Sequence, residues 1–318
     1  MDTLEIVSRL QTSDINEATI DALHVTVDKL CSEYAFTPPR ELIIEGRQWL
    51  RRIVELQDRH LTFSQRRRTL EFGGWLALLV GCLEYDLGES QAADATRRMA
   101  LKLGIEIDNA GIIGWAYEMQ AWFALTAGDY RGVIAAAETG QGAAGNNGVL
   151  VQLIAQEAKA WARMGRQSEM EKALERGRSA LDGMPYPENI KNHFVVDPGK
   201  FDFYAMDCYR HVGDTRLSRT LADEVIRAGT DFNGYERTPM RNAEARITLA
   251  VAAAREGDLD GAIHFGTAAL ETPRKSVPSL LLVARDLTSV LDSEYPNETA
   301  SLDYHEQLRA ISGPGHAA

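Results

Sequence analysis

Apolar residues return every three or four positions through almost the whole chain, as in "RELIIEGRQWLRRIVEL" (40–56), and runs alternating every second residue are nearly absent. A 3.6-residue period predicts helices almost throughout. Start signals agree with it. Thr62 with Gln65 forms a capping-box pattern ahead of "QRRRTLEFGGWLALL", and Pro38-Pro39 opens the helix before it. Between the periodic runs lie short breaks of one kind: "DLGES" at Gly88, "TAGDY" at Gly128, "RMGRQ" at Gly165, "HVGDT" at Gly213 and "REGDL" at Gly257. They recur at intervals of 40, 37, 48 and 44 residues. Each break joins two amphipathic helices, so the repeating unit is a helix hairpin. A unit of that size has no sufficient core alone and is stable when stacked, which predicts a right-handed α-solenoid in the all-α class.

Composition narrows this picture only slightly. Hydrophobic content of 45% and charged content of 25% are those of a globular chain. The net charge of −12, from 34 basic and 46 acidic residues, disfavours non-specific DNA binding, which depends on cations that neutralise phosphates. Cys31, Cys82 and Cys208 are odd in number, far apart and each within an apolar helical pattern, as buried reduced thiols would be. "MDTLEIVSRLQ" lacks the features of a signal peptide, and the most apolar stretch, "GGWLALLVGCLEYDLG", meets charge after about ten residues, too soon to span a bilayer. The expectation is a cytoplasmic protein with no membrane association.

Two of the hairpins, "GCLEYDLGESQAADATRRMA" and "AREGDLDGAIHFGTAAL", resemble tetratricopeptide repeats. With the turn glycine at the fifteenth position, small residues fall at the twentieth and twenty-seventh: Ala93 and Ala100 in one, Ala262 and Ala269 in the other. Gly81 takes the eighth position of the first. Small residues there let paired helices approach closely. The hairpins turning at Gly128, Gly165 and Gly213 are degenerate versions. More widely, "DALHVTVDKLCSEY", "GWLALLVGCLEYDLG", "HFVVDPGKFDFYAMDCYR" and "RTPMRNAEARITLAVAAAREGDL" resemble the C-terminal sensor region of bacterial XRE-type helix-turn-helix transcriptional regulators. The resemblance implies a helical-repeat region that senses a partner or ligand. Only about twenty residues precede it, too few for a helix-turn-helix domain. The chain is therefore expected to be a stand-alone sensor region, or one whose start lies upstream of Met1, with no direct nucleic-acid binding of its own. The expected organisation is an N-terminal helical cap (1–60), helical repeats (61–275), C-terminal capping helices (276–311) and a disordered tail (312–318).

The tetratricopeptide register implies which side chains line the concave face, at positions two, five, nine and twelve of each hairpin. These include Trp75 and Tyr85, then Trp115, Glu118 and Trp122, then Gln152 and Lys159, then Lys200, Phe203, Asp207 and Arg210. Aromatic at one end and charged at the other, the set suits a peptide or protein segment, with aromatic anchors giving affinity and charges giving orientation. Competing readings are tryptophans packed as core, and Lys159, Lys200, Asp207 and Arg210 as solvated surface. Three segments, 139–148, 183–199 and 229–239, read as unusual connections that share one edge of the repeat array. Self-association as a homodimer is left open as a second kind of partner.

Sharper chemistry has weaker support. "GQGAAGNNG" has the glycines of a phosphate loop but no Gly-Lys-Ser/Thr and no preceding strand. "QRRR" (65–68) with Arg51 and Arg52 reads as a solvated helix face. Asp207, Cys208 and His211 stand at i, i+1 and i+4, which allows a metal centre or metal-dependent enzyme as the alternative function. A structural zinc site needs a second pair of ligands that the sequence does not supply. No cofactor and no catalytic residue are therefore expected.

Overall fold

The computed structural model describes residues 13–312. The first twelve residues of the expected N-terminal cap, and all of the expected tail except Ser312, lie outside them. Among the described residues the chain is all-helical: fourteen α-helices, no strand, and one isolated bridge between Thr230 and Glu236. The helices are α1 (Glu17–Glu33), α2 (Pro39–Gln57), α3 (Phe63–Asp86), α4 (Ser90–Glu106), α5 (Ala110–Thr126), α6 (Tyr130–Ala144) and α7 (Val149–Arg163). They continue as α8 (Gln167–Asp182), α9 (Pro198–Val212), α10 (Thr215–Gly229), α11 (Pro239–Arg255), α12 (Leu259–Glu271), α13 (Val277–Glu294) and α14 (Thr299–Ser312).

Local chemistry accounts for the ends. Thr62 caps α3 in a reciprocal capping box with Gln65, and Pro39 occupies the first turn of α2. All five turn glycines lie in the left-handed region, for example Gly88 at φ 80° and Gly257 at φ 88°. A side chain at these two turns would be strained, which explains glycine where one helix of a pair ends. Between α4 and α5 the same job falls to a non-glycine residue, Asp108 at φ 53°.

Packing follows chain order: α3 on α4, α7 on α8, α9 on α10 and α11 on α12 pair as hairpins. The first helices also touch one another, α7 with α9, α9 with α11 and α11 with α13, so successive hairpins stack as in a helical repeat. Ala93, Ala100, Ala262 and Ala269 are all fully buried, as the small-residue positions required. Gly266 shows how tight this packing is. A Cβ there would stand 2.8 Å from Tyr304 Cε2 and 3.0 Å from Leu287 Cδ2.

One sequence-based boundary moves. Residues 139–144 were expected in a connection, but α6 continues to Ala144 and only 145–148 link it to α7. Gly140 serves packing instead, since a Cβ there would lie 2.7 Å from Leu153 Cδ2 and 2.8 Å from Tyr117 Cβ. The segments 183–197 and 230–238 are true loops.

Two compact units divide the chain. Unit 1 contains residues up to Ala116 together with Lys191–Phe194, and unit 2 contains Tyr117–Ile190 and the residues from Val195 onward. The division falls inside α5. Unit 2 includes two apolar clusters among the described residues. One gathers Ile247, Val251, Val283, Leu287 and Tyr304 among others, and the second gathers Leu125, Val133, Ala160 and Leu282. No helix among the described residues is long and apolar enough to cross a membrane.

Candidate functional site

The sequence-derived site residues are shared out between the units. Trp75, Tyr85 and Trp115 belong to unit 1, and the other eight belong to unit 2.

In unit 1 the aromatic positions are part of the packing. Trp115 is fully buried, and Trp75 and Tyr85 are half-buried. Two residues from the loop before α9 lie against the tryptophans. The Phe194 ring is 5.5 Å from Trp75 and meets Trp115 edge-on at 5.3 Å. The His193 ring lies 4.0 Å from Tyr34, with its Nε2 3.9 Å from Cys82 Sγ. His193 N–H donates to the Cys31 carbonyl, and Asn192 Nδ2 donates to Asp28 Oδ1. The reading of Trp115 as core therefore holds, and His193 serves an aromatic cluster.

In unit 2 the charged residues converge through the first helix of each hairpin. Asp207, on α9, is the hub. Arg163 from α7 grips it with two hydrogen bonds, Nη1 to Oδ2 at 2.7 Å and Nη2 to Oδ1 at 3.0 Å. Arg210 donates to the same carboxylate, and Lys159 Nζ stands 3.7 Å away. Arg210 then reaches Asp286 on α13 through Nε (2.8 Å) and Thr248 on α11 through Nη1 (2.9 Å). His211 Nδ1 lies 3.3 Å from the other Asp286 oxygen. Burial alone would raise the pKa of Asp207, but Arg163, Lys159 and Arg210 outweigh it and hold the carboxyl well below the usual range. The same contest at Asp286, burial against Arg210 and His211, ends at about 2.

Asp207 and Arg210 are both 0% exposed, so the structure places them neither on an open concave face, as expected, nor on solvated surface, the competing reading. Lys159, Lys200 and Phe203 are buried as well. The physical reason is that α9 touches α7, α8, α10 and α11, so both of its stripes are covered. Charges can be buried there because each meets opposite charge from a neighbouring helix. Lys200 sits at the start of α9, where its N–H is capped by Asp197 Oδ1 at 3.1 Å and its Nζ donates to the Val195 carbonyl at 3.0 Å. Asp197 thus serves as the cap of α9, and it also pairs with Arg241 at 3.1 Å.

Beside this network lies a second polar group. Gln152 and Gln156 on α7 both donate through Nε2 to Glu118 Oε1 on α5, at 2.9 and 2.7 Å. Gln152 Nε2 also donates to the Tyr204 hydroxyl. Burial raises the pKa of Glu118 despite those hydrogen bonds and the pull of Lys200 and Lys159. On α11, Glu244 is pushed up from 4.5 to about 7, again chiefly by burial, with Lys159 opposing. Trp122 is half-buried, its Nε1 donating to Ser279 Oγ at 2.9 Å.

The chain matches no family model and no curated protein.

Asp207, Cys208 and His211 do not converge on one point. Asp207 is held by two arginines, His211 faces Asp286, and the Cys208 thiol is buried and pushed up to about 12, mainly by that burial. Among the described residues no group of three His, Cys, Asp or Glu side chains is placed to hold a metal ion. The sequence missed Arg163, Gln156, Tyr204, Glu244, Thr248 and Asp286. One signal was available. Carried on to the Gly257 hairpin, the same register puts Glu244 at position two.

Proposed function

We propose that this chain is a non-catalytic regulatory module that captures a peptide or protein segment through the buried polar network of unit 2. The reading rests on one observation above all. Four first helices, α5, α7, α9 and α11, converge there with a dense set of polar and charged side chains. A hydrophobic filling would be as stable as such a set or more so, and polar groups kept inside at that cost are a feature of recognition sites. The resemblance of four stretches to the sensor region of XRE-type regulators supports a regulatory setting, with tetratricopeptide-like hairpins as the scaffold and DNA contact left to another domain or partner.

Panning a random dodecapeptide display library on the full chain tests this. A selected peptide should bind in solution with micromolar Kd or better. Lys159→Met should weaken it at least tenfold with little change in Tm. No enriched peptide, or equal affinity in the variant, would refute the reading. Arg210 is unsuitable for such a test, because reversing a charge that is wholly buried would unfold the protein.

A further inference from the structure

Most polar groups inside unit 2 are paired. Among the described residues, the buried side-chain atoms there without a hydrogen-bond partner are Gln152 Oε1, Gln156 Oε1, Arg219 Nε, Ser301 Oγ and Tyr304 Oη. The two glutamine oxygens stand one turn apart beside the Asp207 network. Gln152 and Gln156 spend their amide nitrogens on Glu118, but the carbonyl oxygen Oε1 of each is buried without a hydrogen-bond partner. The residues are 4% and 3% exposed. Lys159, 6% exposed, has the Asp207 carboxylate at 3.7 Å and the Tyr204 ring at 5.4 Å, and its ammonium donates no hydrogen bond among the described residues. Glu244, 8% exposed, accepts none on its carboxylate there. A buried acceptor left unmet is costly, and two on adjacent turns of one helix beside the ammonium of Lys159, itself ion-paired with Asp207, form a pattern.

Gln152, Gln156 and Lys159 stand at i, i+4 and i+7, a single stripe along α7. The rise between the two glutamines is about 6 Å. In an extended chain, N–H groups on one side recur every two residues, about 6.6–6.8 Å apart. The two spacings match within side-chain reach. Beyond Gln156 the stripe changes from acceptor to donor at Lys159.

From this we infer that Gln152 and Gln156 read a ligand's main chain: the two Oε1 atoms accept alternate N–H groups of an extended peptide, and Lys159 binds the carbonyl or C-terminal carboxylate that follows. The peptide then runs parallel to α7, its C-terminal side toward Lys159. This deepens the proposed function and rests on it. Entry requires local opening, because all the groups involved are nearly closed to solvent, so the observed association rate should saturate with peptide concentration.

The test uses a peptide selected on the full chain, synthesised with each amide N-methylated in turn. Two positions, i and i+2, should each lose about three- to tenfold in affinity, the value of a neutral hydrogen bond. In Gln152→Met and Gln156→Met one of those two penalties should vanish in each variant, with the protein still folded by its Tm. Amidating the peptide's C-terminus should weaken binding to wild type but not to Lys159→Met if the acceptor is the carboxylate, and should change neither if it is a carbonyl. Methylation penalties that persist in both glutamine variants would overturn the inference while leaving peptide capture standing. A chain that enriches no peptide would overturn both.

Discussion

Glu244→Gln provides the sharpest check on the electrostatics of unit 2. The folded-state pKa of Glu244 stands at about 7 against 4.5 for the free side chain, chiefly because burial disfavours the charged form. The sign follows from linkage. Between those two pH values the folded chain keeps a proton that the unfolded chain gives up, so stability falls as pH rises. The contribution is whole below about 4.5, declines through the interval and is gone above about 7. The gap of 2.5 units (7 − 4.5) corresponds to at most about 3 kcal/mol. Glutamine keeps the shape and stays neutral. The variant should therefore match wild type near pH 4.5 and exceed it by up to about 3 kcal/mol at pH 8. Urea unfolding followed by helical circular dichroism across pH 4.5–8 measures this, and carboxyl-carbon NMR reads the titration directly. Asp286 titrates at about 2 and leaves this window undisturbed, while Glu118 is raised and contributes a slope of the same sign in both proteins. A stability difference that does not change with pH, or an NMR midpoint near 4.5, would refute the reasoning.

Asp207→Asn should destabilise the fold by about 3–5 kcal/mol in urea titration, because two buried arginines lose the charge they share. Gly177→Ala, which would normally help a helix, should cost about 1–3 kcal/mol, because its Cβ would meet Phe201 Cε2 at 2.6 Å. Gly142→Ala is the control: nothing lies within 4 Å, so it should stabilise α6 by roughly 0.5–1 kcal/mol in the same assay. Asp197→Ala removes the cap of α9 and the pair with Arg241, and Tm should fall by the equivalent of about 1–2 kcal/mol.

Local signals in the sequence were dependable. The five turn glycines, the buried alanines of two hairpins and the Thr62 capping box each depend on residues within a few positions of one another, and each appears in the structure where the pattern put it. What stayed hidden depends on distant partners. Asp207 looked like surface because the arginine that makes its burial tolerable lies 44 residues away, and Arg210 because Asp286 lies 76 residues away. Polar residues carry no local mark that says whether a counter-charge will arrive. Gly140 and its neighbours failed differently. Of glycines dense enough to suggest a loop, Gly140 lets Leu153 and Tyr117 approach a helix, while Gly142 has nothing within 4 Å.

The placement of Asn192, His193 and Phe194 in unit 1 has a consequence in time. Their partners Asp28, Cys31, Tyr34, Trp75 and Trp115 all lie at or before position 116, so this corner of unit 1 joins residues as much as 164 positions apart. On the ribosome the contiguous part of unit 1 emerges first and waits for residues made roughly 4–16 s later at ordinary elongation rates. Until they arrive its tryptophans lack their cover, and contacts this distant are among the slowest to form. The unit that comes first in the chain therefore cannot be completed until Phe194 has been made, after a large part of unit 2.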